Sequence, residues 1–284
     1  MSEPLRIVHG AFGRIVLLRL DKSMSVHAHR VCHIIFKIGG PDVAFGIRGR
    51  EHTLSDHNAL LVNAWEPHFY PHNPNAAPTV LLALYVEPQW LRAADQRLLH
   101  SNHPKFFTRA SVAIEARLAD LKRDLLETLL TREATNVQNL EAIIVQTVVE
   151  LNNAVAHWSS VSAIQLTGGM TYDKRIRRAI EVMEEHHGNA LDFDQIARSV
   201  ELSRPHFFHL FSKETGMTPA TFGGMLRMEA SIERIVASSM PMLDVAQSVG
   251  FEASGNFTRF FVSLQGVTPS QYRKIVEFVA ADSH

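Results

Sequence analysis

Four histidines stand close enough in the first quarter of the chain to act together. His27 and His29 are two positions apart, so they share a face if they lie on a strand, and His33 and His68 follow them. Three or four neutral imidazoles suit zinc, iron, nickel or copper. The chain has 16 histidines, which raises the chance of a coincidental spacing. We therefore expect a structural or ligand-facing role for these four residues, with a metal site as the alternative.

Aromatic residues near these histidines favour an organic ligand. Trp65, Phe69 and Tyr70 could form the walls of a binding site in which the imidazoles anchor polar groups. The residues expected to bind a small-molecule effector are His27, His29, His33, Trp65, His68 and Tyr70. An enzyme would need a catalytic carboxylate beside the histidines, for which only Glu51 and Glu66 are near. We predict no catalytic residue, no enzymatic activity and no cofactor.

The segment that must position these residues, from Leu5 to about Glu87, reads as short strands separated by turns rich in Gly, Pro, Asn and Asp. The predicted strands are Arg14 to Leu20, Val31 to Ile38, Phe45 to Arg48, Ala59 to Val62 and Thr79 to Val86. This pattern is typical of an antiparallel barrel or sandwich. Beyond Pro88, apolar residues recur at helical spacing from Ile114 to Leu129 and from Leu140 to Trp158. These two helices could cover the barrel or pair with a second copy of the chain.

The last third of the chain contains an internal repeat. Residues 197–202 recur as residues 246–251, displaced by 49 positions. A second set is displaced by 50 positions: Phe207, Phe211, Gly216, Thr218, Pro219 and Phe222 recur as Phe257, Phe261, Gly266, Thr268, Pro269 and Tyr272. Each copy predicts a short helix, a tight turn and a longer helix that ends at a glycine, with Asp192, Ser203 and Thr218 as N-caps. The repeat therefore predicts two helix-turn-helix units.

Residues that face outward on the second helix of each unit are the candidates for contact with DNA. They are Arg204, Pro205, His206, Phe208, His209 and Lys213 in the first unit, and Ser254, Gly255, Asn256, Thr258 and Arg259 in the second. Arg259 could bind guanine through two hydrogen bonds, and Phe208 could touch a thymine methyl group. From Thr171 onward there are 12 basic and 14 acidic residues, which argues against a high nonspecific affinity. Phosphate contacts would have to come from local groups such as Lys174, Arg175, Arg177, Arg178, Arg204 and Arg273.

Residues 175–275 resemble the DNA-binding domain of the AraC/XylS family of transcription regulators. The runs 250–252, 256–261 and 266–273 are similar to the signature region of that family, and residues 202–219 are similar in kind. The resemblance implies a sequence-specific regulator, here an effector-responsive activator, with a cupin-like N-terminal barrel followed by dimerisation helices. Its implied partners are promoter or operator DNA, a small-molecule effector, a second copy of the chain and RNA polymerase, with no membrane.

Three positions depart from the family pattern. His209 stands where a basic residue is usual, Phe208 where a polar one is usual, and Gly255 offers no side chain. The four N-terminal histidines, in turn, resemble those of metal-binding cupins, but the carboxylate and glycine spacing of that signature is missing. The alternatives are therefore a metal-binding cupin regulator, a cupin enzyme with a degenerate DNA-binding domain, and a double helix-turn-helix that serves as a protein adaptor.

The predicted fold class is two-domain α+β: a cupin-like β-barrel with flanking helices, then an all-α domain with two helix-turn-helix units. The predicted boundaries are 1–103 for the effector-sensing barrel, 104–158 for the helical dimerisation or cover segment, 159–170 for a linker and 171–284 for the DNA-binding domain. The only cysteine is Cys32, and the N-terminus carries neither a signal-peptide nor a membrane-anchor pattern. We expect a cytoplasmic protein.

Overall fold

A computed structural model describes residues 3–101, 103, 105–131, 137–155, 172–186 and 191–279. They form two compact units, one built mainly of residues 1–167 and the other mainly of residues 168–274. The segment from Ile275 belongs to the first unit. The predicted linker, residues 159–170, lies outside the described residues.

Strands within the described residues form two sheets. They are β1 (Glu3–Gly10), β2 (Gly13–Leu20), β3 (Met24–His27), β4 (Cys32–Gly39), β5 (Val43–Ile47), β6 (Arg50–Leu54), β7 (Asn58–Val62), β8 (His68–Tyr70), β9 (Thr79–Val86), β10 (Ser111–Ala113) and β11 (Val276–Phe278). The first sheet has the order β10-β7-β4-β9-β2-β1-β11, and the second has the order β3-β8-β5-β6. Antiparallel pairing joins β1 to β2, β2 to β9, and β4 to both β9 and β7, whereas β11 runs parallel to β1.

Both faces of the first sheet are buried. Ile35 of β4 and Leu81 of β9 belong to an apolar core shared with the second sheet. Their neighbours Ile34, Phe36 and Leu82 belong to a core on the opposite face. A strand buried on both faces reads as a continuous apolar run rather than an alternating one, so its pattern does not distinguish a barrel from a sandwich. The described strands form two facing sheets, the sandwich form of the two arrangements that this pattern allows.

Helices cover the other face of the first sheet. They are α1 (Pro88–Ala94), α2 (Ala116–Leu130) and α3 (Val137–Val155). The apolar stripe of α2 is buried in the same core as the sheet, and it consists of Leu118, Leu121, Leu125 and Leu129. Ile144, Val148 and Leu151 of α3 join that core. Of the two roles that the sequence left open for these stripes, the structure places them as cover within one chain.

The second unit is helical. Its helices are α4 (Lys174–Glu185), α5 (Phe193–Ser199), α6 (Arg204–Thr215), α7 (Pro219–Ala237), α8 (Met242–Ser248), α9 (Ser254–Gln265) and α10 (Pro269–Ile275). Asp192 and Thr218 accept hydrogen bonds from backbone N–H groups of the first turns of α5 and α7, as predicted. Gly216 and Gly266 adopt left-handed conformations that end α6 and α9. Ser203 occupies the N-cap position of α6 without a side-chain cap bond, so that predicted cap is wrong.

The last described segment departs from the all-helical expectation for the C-terminal part. Strand β11 pairs with β1 in the register Ile7↔Val276, and Arg6 Nη2 lies 2.8 Å from Glu277 Oε2. The apolar residues of this short strand do not extend far enough to show a period of two. The predicted class is otherwise confirmed: a β-rich N-terminal part precedes a helical part with two helix-turn-helix units. No helix among the described residues is long and apolar enough to span a membrane.

Candidate DNA-binding interface and ligand site

The turns of the two helix-turn-helix units have the same hydrogen bonds. The N–H of Leu202 donates to the carbonyl of Ala197 at 2.9 Å, and the N–H of Phe251 donates to the carbonyl of Ala246 at 2.9 Å. The residue before the donor is left-handed in both turns: Glu201 has φ 59° and Gly250 has φ 79°. The predicted repeat is therefore a repeat of backbone geometry, and it includes one position per unit that favours glycine.

Gly250→Ala is expected to lower the free energy of unfolding of the second helix-turn-helix unit by about 1–2 kcal/mol, because a Cβ in the left-handed region crowds the next carbonyl. Glu201→Gly is expected to raise the free energy of unfolding of the first helix-turn-helix unit by up to about 1 kcal/mol. Relief of the same strain exceeds the entropy that glycine adds to the unfolded chain. Urea unfolding of the full chain, followed by helical circular dichroism, measures both changes. Destabilisation by both substitutions would contradict this account of the turns.

Buried aromatic rings pack against the second helix of each helix-turn-helix unit. In the first helix-turn-helix unit, Phe211 of α6 lies 5.6 Å from Phe207 and 5.5 Å from Phe222 of α7, measured between ring centroids. In the second, Phe261 of α9 lies 5.9 Å from Phe257 and 5.4 Å from Tyr272 of α10. All six rings are fully buried, and their edge-to-face or tilted contacts fix the rotation of α6 and α9 about their axes. The remaining faces of the two helices are thereby directed outward.

The predicted DNA-contacting residues lie on these outward faces. The exposed ones are Arg204, Pro205, His206, His209 and Lys213 on α6, and Ser254, Gly255, Asn256 and Arg259 on α9. Phe208 and Thr258 are half-buried. The Phe208 ring packs edge-on against Phe193 of α5, with centroids 5.6 Å apart, so part of its apolar surface is already used within the unit.

The two arginines of these faces are held by polar neighbours. Arg204 Nη1 lies 2.8 Å from Asp194 Oδ2, and its guanidinium lies over the Phe208 ring at 5.5 Å. Arg259 donates from Nη2 to Asn256 Oδ1, one helical turn away. An exposed pair of this kind contributes little to stability but limits the rotamers of the arginine. The Asn256 contact thus holds Arg259 on the exposed face of α9.

Two of the predicted phosphate contacts have structural roles. Arg273 donates from Nη1 to the carbonyl of Met240 at 2.7 Å and from Nε to that of Ile235 at 3.2 Å, so it caps the C-terminal end of α7. Arg175 forms two hydrogen bonds with Asp173, and these bonds hold the pKa of the Asp173 carboxyl well below its usual range. Four other predicted phosphate contacts are exposed, and phosphate contact stays a prediction for them: Lys174, Arg177, Arg178 and Arg204.

The structure brings the four predicted histidines together. His27, His29, His33 and His68 are all buried. One ring nitrogen from each of His27, His29 and His68 lies within 4.8 Å of the other two. His33 Nδ1 is 3.3 Å from His68 Nε2. The sequence missed Tyr85, which stacks on His33 with centroids 4.1 Å apart.

The pairing of strands, which the sequence does not give, is what brings Tyr85 to the histidine cluster. Tyr85 lies directly opposite His33 in the β4–β9 ladder and opposite Arg14 in the β2–β9 ladder. The Arg14 guanidinium is 4.2 Å from the centroid of the Tyr85 ring. Arg14 is a buried cation, and a basic residue at the start of the apolar run of β2 is the signal in the sequence that could have marked the site.

The turn at residues 63–66 positions two of the histidines. The Trp65 N–H donates to the carbonyl of His29 at 2.6 Å, and His68 Nδ1 lies 3.0 Å from the carbonyl oxygen of Glu66. Trp65 is left-handed, with φ 58°. Asn63 anchors the turn, because its side chain bonds both the N–H and the carbonyl of Phe107. This turn therefore sets the backbone of His29 and the ring of His68 relative to each other.

The other candidate residues, namely the two predicted aromatic ligand residues and the two carboxylates, are not members of the imidazole cluster itself. Tyr70 shares the inward face of β8 with His68, and its hydroxyl is 2.8 Å from His72 Nδ1. Trp65 is half-buried. Glu51 is exposed on β6, and the Glu66 carboxylate is bound by Arg48 with Nε 2.6 Å from Oε1. Neither carboxylate is thus poised as an acid or base beside the imidazoles.

Cys32 occupies the opposite face of β4 from His33. Its thiol lies 3.4 Å from the carbonyl of Ser101, and burial raises its pKa to about 12. A thiol with such a pKa stays protonated at neutral pH and is a poor nucleophile and metal ligand. Cys32 belongs to the apolar core beneath the helices.

Two family profiles match the chain. The profile of the AraC-like ligand binding domain matches residues 19–143, and that of a helix-turn-helix domain matches residues 196–275. The first match extends from β2 into α3, and the second from α5 to the end of α10. The histidine cluster lies within the first match and the two outward faces lie within the second.

Curated relatives are transcription regulators. LumQ of Photobacterium leiognathi, a probable transcriptional regulator, is 21% identical over 259 residues, which cover 89% of this chain and 94% of LumQ. The RCS-specific transcriptional activator RclR of Escherichia coli K12 is 30% identical over 106 residues. An uncharacterised helix-turn-helix regulator of Haemophilus influenzae is 29% identical over 104 residues. The matched segments span only 37% of RclR and 35% of the Haemophilus protein.

Solved structures of ToxT from Vibrio cholerae share the fold over nearly the whole chain. An apo variant has a TM-score of 0.55 at 12% identity and covers 93% of this chain and 97% of ToxT. Wild-type ToxT bound to an unsaturated fatty acid has a TM-score of 0.53 at 11% identity and covers 92% and 94% of the two chains. At this identity the likeness establishes the fold alone.

A ligand-binding β domain followed by a double helix-turn-helix is the domain order of one class of transcription regulators. The domain matches and the relatives assign the chain to that class. The chain thus combines an AraC-like ligand binding domain with a helix-turn-helix domain, which supports the predicted resemblance of residues 175–275 to the AraC/XylS family.

Proposed function

We propose that this chain is a sequence-specific DNA-binding regulator of transcription, and that it acts as an effector-responsive activator. The observation that carries the proposal is the duplicated unit. Two helix-turn-helix turns share one hydrogen-bonding pattern, and each presents an exposed helix face rich in polar and basic groups. Nothing in the core requires the Arg259 and Asn256 side chains, so their placement favours a role at a partner surface.

In the proposed complex, α6 and α9 enter successive major grooves on one side of the duplex. The 19-residue helix α7 connects the two helix-turn-helix units. Grooves on one side of B-DNA repeat every helical turn, about 34 Å. Arg259 would read guanine, and the half-buried Phe208 would offer a ring edge to a thymine methyl group. One chain would then recognise two adjacent half-sites.

The effector site is proposed at the histidine cluster and the neighbouring Trp65 and Tyr70. Buried imidazoles and aromatic rings between the sheets offer polar anchors and apolar walls together. A ligand changes DNA binding only if its affinity differs between the DNA-competent and incompetent arrangements of the protein. Titration of candidate metabolites during DNA binding tests this part of the proposal, and an affinity for the promoter that no metabolite changes would contradict it.

A homodimer and a contact with RNA polymerase complete the proposal. The apolar stripes of α2 and α3 are buried against the sheet, so a dimer would have to use their outer surface. A polar groove runs between these two helices, and Arg117 donates across it to Gln146 at 2.6 Å. Sedimentation equilibrium of the purified chain with Arg117→Glu as the variant tests this surface, and an unchanged dimer would exclude the groove.

Arg259→Ala is expected to weaken binding to the promoter by about 5- to 150-fold, equivalent to about 1–3 kcal/mol, and to relax specificity at one base pair. The measurement is fluorescence anisotropy of labelled fragments from the protein's own upstream region at two salt concentrations. Wild-type binding should weaken steeply with salt, because Lys and Arg displace counterions from phosphates.

Arg97→Ala is the matched control for this variant. Arg97 is exposed, lies outside α2 and α3, and like Arg259 bonds to a nearby side chain, that of Asp95 two residues earlier. The variant removes the same charge outside the proposed DNA-binding and dimer surfaces. Equal losses for the two variants would mean that net charge and not base contact governs binding. Wild-type affinity of Arg259→Ala for its promoter would contradict the proposed docking.

A further inference from the structure

We propose that His27, His29 and His68 form a binding site for a divalent first-row transition metal ion of the zinc type. One ring nitrogen of each lies within 4.8 Å of the other two. Three nitrogens that share one zinc ion at 2.0–2.1 Å are about 3.4 Å apart in tetrahedral geometry. To reach this separation from that in the structure, each ring nitrogen has to move inward by less than about 1 Å, and small rotations of the rings supply this movement.

The tautomer of His68 is set for coordination. Its Nδ1 lies 3.0 Å from the carbonyl oxygen of Glu66, an acceptor only, so Nδ1 carries the proton and donates it. The lone pair is therefore on Nε2, which points toward His33 at 3.3 Å. Metal-binding histidines commonly have this arrangement, in which a backbone carbonyl orients the ring from behind.

The backbone that carries the ligands is held in place. The left-handed Trp65 donates its N–H to the carbonyl of His29, while the next residue, Glu66, orients His68. A strained conformation of this kind persists only when its surroundings maintain it, and such strain concentrates at ligand sites. One turn thus fixes two of the three ligands relative to each other, which reduces the ordering cost of binding an ion.

The donor set selects the class of ion. Three neutral imidazoles suit zinc, nickel or copper, whereas calcium and magnesium require oxygen ligands. The closest predicted carboxylate, Glu66, is bound to Arg48 and Asn63 and is not part of the set. Three protein ligands leave a fourth tetrahedral position, which a donor atom of an effector can take.

The test uses the full-length protein without a histidine tag, dialysed against a chelator and then titrated with Zn²⁺ or Co²⁺ alone. We expect saturable binding of one ion per chain, measured by competition with a chromophoric chelator. His29→Gln and His68→Gln should each weaken the affinity by at least about tenfold. His57→Gln is the control, because His57 is exposed in the same part of the chain and should leave the affinity unchanged.

The Co²⁺ form of the wild-type protein supplies a readout that needs no variant. Intense visible absorption from tetrahedral Co²⁺ with nitrogen ligands supports the site. Absence of saturable binding by the wild-type protein, weak octahedral absorption, or equal affinities for His57→Gln and the two ligand variants would each overturn it and leave a hydrogen-bonded histidine cluster. No DNA is present in these experiments, so their failure does not affect the proposed regulator function.

Discussion

Phe261→Ala is expected to lower the free energy of unfolding of the helical unit by about 3–5 kcal/mol. The ring is fully buried and contacts Phe257 on its own helix and Tyr272 on α10. Its removal leaves a cavity between the helices that the surrounding side chains cannot close, because tilted and edge-on rings constrain one another. Since the same contacts fix the rotation of α9, binding to promoter DNA should be lost together with stability.

Urea unfolding of the full chain can assign this loss to one unit. The described tryptophans, Trp65 and Trp90, belong to the first unit, and the sequence has no tryptophan after Trp158. Tryptophan emission therefore reports the first unit, and helical circular dichroism includes the second. Phe278→Ala is the control, because 61% of that side chain is exposed. A shift in the emission transition with an unchanged dichroism transition would contradict the assigned role of Phe261.

Asn63→Ala is expected to destabilise the first unit by about 3 kcal/mol. Asn63 and Phe107 are buried, and the Asn63 side chain accepts from the Phe107 N–H at 2.7 Å and donates to its carbonyl at 3.1 Å. The substitution leaves a buried N–H without its acceptor and releases the anchor of the turn at residues 63–66. We therefore expect weaker binding of any ligand that uses His29 and His68.

Tryptophan emission during urea unfolding measures the change in stability, and Asn75→Ala is its control because Asn75 is exposed. The positioning role has a second readout, namely the Zn²⁺ affinity measured at urea concentrations where the variant remains folded. A variant that is less stable but binds Zn²⁺ as the wild type does would reduce Asn63 to a purely structural residue.

The helix-turn-helix repeat could be predicted in detail from the sequence because its signals are local. Capping by Asp192 and Thr218 and the left-handed stops at Gly216 and Gly266 depend on residues within one turn of each helix. The structure shows each of these features. The cap assigned to Ser203 was wrong because the serine occupies the right backbone position while its hydroxyl makes no cap bond.

The N-terminal part was less predictable because its decisive contacts are distant in sequence. His33 meets Tyr85 across 52 positions, and Arg48 reaches Glu66 and the carbonyl of Phe107. Strand periodicity cannot supply such pairings when both faces of a sheet are buried. The pairing of β11 with β1 lies outside local reasoning for the same reason, since it joins the two ends of the chain.

A footprint of the full chain on its promoter tests the central claim most directly. If both repeats read DNA as proposed, hydroxyl-radical cleavage and guanine methylation interference will reveal two protected segments. Their centres should lie about 10–10.5 base pairs apart on the same side of the duplex. Arg259→Ala should remove the guanine interference from one segment only. A single protected segment, or protection with no interference in either major groove, would contradict the account of two DNA-reading units in one chain.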